Sequence, residues 1–301
     1  MAVERPAVRK LMLLVCLLPG PLLPDSAAAP AQTAPPAAPA PEALSATQAQ
    51  ALVGRALANE LRAAQDTGHP MRYQLHKSSP RVTSTKTIIE SKDGAVARLT
   101  SINGNPLSAA DEQREQARLN ALQADPELQR HRKQSQETDT GRALKVLRVL
   151  PQAFLYQYTG PADTPSGTVE KFTFKPNPAF NPPDLETDVL TAMTGEIWVD
   201  AAQERVARLE GHLQQDVDVG WGLLGRLNKG GWIEIEQADV GGGQWRTARF
   251  QMRMSGRVFF RTRLFDTTEE ETQFAPVPVG LGYVQAIQML LSGEDSNSGG
   301  K

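Results

Sequence analysis

Cysteine is almost missing from this chain: one residue, Cys16, in 301. It lies in an apolar run, and Leu14-Val15 ahead of it is not the small-residue approach that a lipidated cysteine requires. A disulfide framework and a thiolate metal site are both excluded for the remainder. Histidine is scarce as well. The four, at positions 69, 76, 131 and 212, include no H-x-x-x-H pair and read as surface side chains rather than zinc ligands. No G-x-S-x-G elbow and no S-x-x-K occurs, which removes the usual frames of serine hydrolases. Charge is nearly balanced, with a net of −2, so there is no basic surplus to hold nucleic acid. Nowhere does an apolar run reach the ~20 residues that a spanning helix needs. With no nucleophile and base paired, the reading is a non-enzymatic protein with no cofactor and no metal.

The N-terminus is a different kind of sequence. Arg5, Arg9 and Lys10 precede the apolar stretch 11–18, and Ser26-Ala27-Ala28 offers small residues to a signal peptidase. Residues 1–28 are read as a secretory signal peptide, which places a mature chain of roughly 270 residues in the periplasm. Residues 29–44, dominated by Ala and Pro, cannot bury enough apolar area to offset their ordering entropy and are expected to be a disordered linker. A single domain is expected over 45–292, followed by a flexible tail at 293–301. Without disulfides it must be held by core burial, for which its length suffices.

Within that domain, Ser45 can cap a helix whose apolar side is Leu52, Ala56, Leu57 and Leu61. Met71, Tyr73 and Leu75 alternate with polar residues as a strand does. Two β-rich runs, 81–91 and 94–102, meet at Lys92-Asp93-Gly94, a hairpin signal. Residues 108–150 are dense in Arg, Glu, Gln, Ala and Leu; they predict consecutive helices that break at Asp125-Pro126 and again at Thr140-Gly141, with a solvated charged face. Thereafter strand follows strand, linked by turns too short for a crossover helix, so neighbours must pair antiparallel. The last helix is expected over 283–291.

Gly220, Gly222 and Gly225 fall on G-x-G-x-x-G, the dinucleotide fingerprint. That fingerprint must open a helix long enough to cross a parallel sheet, yet Gly230-Gly231 and the next strand arrive within a few residues. Nucleotide binding is therefore excluded, and the stretch is a hairpin connection carrying Trp221, Leu223, Leu224, Arg226, Leu227 and Lys229. Apolar residues there suit transient contact with a membrane or a partner, or a loop folded back onto the core. Nearby, Asp216 and Asp218 would share one strand face, as a glycosidase or calcium site requires; the simpler reading is a solvated strand end.

Gly195-Glu196-Ile197-Trp198-Val199-Asp200, followed by Glu204-Arg205-Val206-Ala207-Arg208-Leu209-Glu210, looks like the paired strands of the periplasmic lipoprotein-carrier superfamily, the LolA/LolB-like half-barrels. The overall pattern resembles that superfamily too, apart from the long helical insert 108–150. The resemblance implies an α+β fold in which a strongly curved antiparallel sheet, a half-barrel, has helices covering its concave face and encloses a cavity for acyl chains. Tyr156, Tyr158, Phe172, Phe174, Trp198 and Phe250 are bulky enough to line such a cavity, or to pack against the helices as core. The function it implies is carriage of a lipid or an acylated lipoprotein at the cell envelope. A sensor or structural interaction protein, meeting a protein partner through the charged helices, is the alternative.

Overall fold

The computed structural model describes residues 44–164, 167–219, 225–258 and 261–293. The signal segment, nearly all of the Ala/Pro linker, the tail from 294, and Trp221, Leu223 and Leu224 lie outside the described residues.

Helix α1, Ala46–Gln65, begins at a capping box in which the Ser45 hydroxyl accepts the Gln48 N–H and the Gln48 side chain accepts the Ser45 N–H. Its stripe of Ala49, Leu52, Val53, Ala56 and Leu57 is buried. Strands β1 Met71–Ser78, β2 Thr83–Ile89, β3 Val96–Ile102 and β4 Asn105–Pro106 follow as a meander. Helix α2, Ala109–Ala124, ends at Asp125, whose carboxylate then caps α3, Pro126–Ala153, by accepting the N–H groups of Glu127 and Leu128. The expected break at Thr140-Gly141 does not occur, and α3 runs straight through. A glycine inside a helix costs only about 1 kcal/mol, which the burial of Thr140, Ala143 and Leu144 around it offsets.

Next come β5 Phe154–Thr164 and β6 Gly167–Pro176, then a one-turn helix α4 Leu185–Asp188 and a 3-10 turn Val189–Ala192. Strands β7 Met193–Asp200, β8 Arg205–Leu213, β9 Val217–Val219, β10 Gly225–Leu227, β11 Trp232–Asp239, β12 Trp245–Val258 and β13 Arg261–Pro276 complete the sheet. Helix α5, Tyr283–Ser292, closes the described chain.

The thirteen strands of the described residues belong to one antiparallel sheet in the order β4-β3-β2-β1-β13-β12-β11-β8-β7-β6-β5, with the β9-β10 pair joined to the far end of β12. The ends, β4 and β5, do not meet, so the sheet is open and the fold is α+β. Curvature has a local cause. Register shifts interrupt the pairing of β8 with β7 at Ala207, of β12 with β11 at Ala248, and of β13 with β1 at Gln273, the last in a left-handed conformation with φ 56°. Each extra residue bends its strand and increases the local twist. Each also exchanges which parity of residue faces inward. On β12 the inner face reads Met254, Met252, Phe250, then Thr247 and Trp245 beyond the bulge.

Two apolar layers result. The main core lies between α1, the end of α3 and the sheet from β5 to β12. A smaller one, including Ile89, Val96, Leu119 and Ile287, seats α2 and α5 against β2 and β3.

Candidate functional site

Between α1, α3 and the sheet lies a cavity of about 100 Å³. Leu57, Ala63 and Ala64 of α1 and Ala143, Leu147 and Leu150 of α3 form its roof. Its floor sits over the three bulges: Val206 and Leu209 flank Ala207, Thr247 precedes Ala248, and Glu271 and Phe274 flank the irregular turn of β13. A regular strand would present an unbroken row of side chains to the helices; each bulge interrupts that row, and the space opens there.

The wall is mostly apolar, with charged groups in two places. At one rim, Glu60 Oε1 and Oε2 meet Arg205 Nε and Nη2 at 2.7 and 3.0 Å, while Glu60 also accepts the Val206 N–H and a Gln237 amide hydrogen. At the β1 end, Glu90 accepts the Met71 N–H at 2.9 Å, and the two terminal nitrogens of Arg246 donate to the carbonyls of Trp245 and His69. Tyr73 stacks on Phe274 with ring centroids 5.4 Å apart. Burial, and then the carboxylates Glu271, Glu90 and Glu269, hold the Tyr73 hydroxyl well above the usual phenol range, so it keeps its proton.

None of the six aromatics singled out from sequence belongs to this wall. Phe154, Tyr156 and Phe174 pack against one another, with Phe154 and Phe174 centroids 4.4 Å apart, and the Tyr156 hydroxyl donates to the Leu150 carbonyl at 2.9 Å. Phe174 lies over Gly195 and close to Gly211, two cross-strand positions without side chains, and so fills the gap instead of bordering one. Phe172 and Phe250 are buried in the same core, and Tyr158 packs against Phe172 with its hydroxyl donating to Glu170. Trp198 sits between two cations, with Lys171 Nζ 5.5 Å and Arg208 Cζ 4.8 Å from its ring.

The hairpin stretch divides. Leu227 is 1% exposed and belongs to the main core, because β10 pairs with β12 and turns it inward; it is not available to a membrane or partner. Arg226 is clamped by Asp218 at 2.6 and 2.8 Å and approached by Asp216 at 3.5 Å, so both carboxylates are engaged by its guanidinium. The Asp218 carboxyl is held below its usual range by the Arg226 hydrogen bonds. Lys229 is exposed. Three of the four histidines have separate partners: His69 meets Asp66, His76 meets Thr85 and His212 meets Glu210.

Glu60, Tyr73, Thr247 and Glu271 were not among the site residues read from sequence. Their signal was present but ambiguous: Glu269 and Glu271 alternate along a strand, which places two carboxylates on one face without saying that the face is the inner one.

No protein-family model matches the chain, and no curated protein matches it. Among solved structures, one described as an outer membrane lipoprotein-sorting protein domain from Vibrio parahaemolyticus aligns over 79% of this chain and 95% of that chain, at 10% identity and a TM-score of 0.31.

Proposed function

We propose that this protein is an exported, non-enzymatic carrier that holds an apolar chain, from a lipid or an acylated lipoprotein, in the cavity beneath α1 and α3. The observation that carries the reading is the construction of that cavity, a mostly apolar space of about 100 Å³ roofed by two helices and left unfilled by the core aromatics Tyr156, Phe172 and Phe174. It is comparable to an engineered cavity of about 150 Å³ that stays dry and admits benzene. Each methylene withdrawn from water contributes about 0.8 kcal/mol, so useful retention requires several. Raising the helices would enlarge the space, and they are the movable wall, since the floor is fixed by sheet hydrogen bonds.

The test is uptake of a neutral, environment-sensitive hydrocarbon probe, beside native mass spectrometry of the purified protein for co-purified lipid. Ala63→Phe, which fills the cavity from α1 without adding charge, is expected to abolish uptake while leaving far-UV circular dichroism unchanged. Equal uptake by wild type and variant, with no lipid mass found, would shift the reading to an interaction protein.

A further inference from the structure

The β1 end of the cavity contains two hydroxyls with nothing to bond. Tyr73 on β1 and Thr247 on β12 are each 1% exposed, both border the cavity, and neither hydroxyl oxygen has a hydrogen-bond partner among the described residues. Buried polar atoms are nearly always satisfied, and a hydroxyl left alone in an apolar wall destabilises the fold. Here two occur in one cavity, on the strands that flank β13.

The charge around them constrains what they could meet. Glu90 and Glu271 border the same space, with Glu269, itself paired with Lys77 at 2.8 Å, near enough to act on Tyr73. Arg246 is the cation of the wall at this end, and its terminal nitrogens donate to main-chain carbonyls. Arg205, the other cation of the wall, is committed to Glu60. An anionic head group placed here would face more negative than positive charge in a medium that screens poorly. An uncharged oxygen would not. The Tyr73 hydroxyl, fixed in its protonated state, offers a donor; the Thr247 hydroxyl offers a donor and an acceptor.

Resting on the carrier reading, we infer that the Tyr73 and Thr247 hydroxyls form a polar subsite for the uncharged oxygens, ester carbonyl or hydroxyl, of an acylated ligand, and that this end discriminates against free carboxylate and phosphate heads. The apolar wall then takes the chain and the two hydroxyls set its depth and head group, the division of labour usual in small-molecule sites.

The experiment compares three probes of matched length on the full protein: a neutral hydrocarbon reporter, a monoacylglycerol and the corresponding free fatty acid at pH 8. Wild type is expected to bind the monoacylglycerol about tenfold more tightly than the fatty acid. Tyr73→Phe and Thr247→Val, which delete only the hydroxyls' bonding capacity, should each lower monoacylglycerol affinity about fivefold, remove most of the preference together, and leave the hydrocarbon reporter unchanged. Thermal stability of the empty variants should hold or rise. Undiminished monoacylglycerol preference in both variants overturns the subsite but leaves the carrier standing. Failure of all three probes to bind wild type overturns both.

Discussion

Glu60 of α1 and Arg205 of β8 are joined by a two-point ion pair at the rim of the cavity, at 2.7 and 3.0 Å, with both side chains nearly buried. The same carboxylate takes the Val206 N–H at 3.0 Å, so one side chain ties the roof helix to the main chain of the floor. On the same helix, Arg55 and Asn59 reach the side chain and carbonyl of Glu204 at 2.7 and 2.9 Å. The helix is latched along one edge.

Removing one partner of such a pair strands the other in a dry site, which costs about 3 kcal/mol or more. Glu60→Ala is therefore expected to lower stability by that order in chemical denaturation. It should also speed exchange of a bound hydrocarbon probe, because the latch on α1 is gone. Slower or unchanged exchange in stopped-flow would show that the roof opens elsewhere.

Acid should loosen the second core. Burial pushes the Glu115 carboxyl up, but hydrogen bonds from Arg118 and from the Leu99 N–H outweigh it and hold the group below its usual range. A carboxylate depressed in the folded state contributes stability that is present above its unfolded pKa, about 4.3, and is lost as pH falls through the folded value. Glu115→Gln is expected to cost about 1 kcal/mol at neutral pH and to flatten the acid limb of a stability profile below pH 5. An unchanged limb would remove Glu115 from the account.

In alkali the opposite sign applies. The hydrogen bond to Glu170, with a smaller contribution from burial, pushes the Tyr158 phenol up to about 12. Stability from this group is complete below the unfolded pKa of about 10 and is lost as pH rises through the folded value. Ultraviolet titration should show its ionisation moving down toward 10 in Glu170→Gln; no movement would mean that the hydrogen bond is not maintained in solution.

Leu227 tests the boundary between loop and core. Its burial in the main cluster predicts that Leu227→Ala costs about 2–5 kcal/mol, measured by thermal or denaturant unfolding. A surface-like loss below 0.5 kcal/mol would return the residue to a contact loop.

Strand existence and antiparallel pairing were legible because period-2 alternation and turn chemistry are local. The Asp93-Gly94 turn, the Ser45 cap and the Asp125-Pro126 junction all read directly, since each depends on a few adjacent residues. The cavity was not legible. Its position depends on bulges at Ala207, Ala248 and Gln273, and nothing in an alanine or a glutamine announces one. Size misled in the same way. Tyr156, Phe172 and Phe174 are large enough to border a cavity, but Gly195 and Gly211 opposite Phe174 let the aromatics close on each other. Gly141 misled because propensity is a weak signal once a helix has a partner to pack against.

The central pairing of β1 with β13 sets Met71 opposite Pro276. Pairing strands so far apart in sequence carries the entropic cost of bringing distant segments together. Tyr73 comes from the first of these strands and Phe274 from the last, and Thr247 stands on the neighbour that precedes it. The cavity therefore exists only where β1, β12 and β13 are assembled together, and a segment that ends before Phe274 lacks part of its wall.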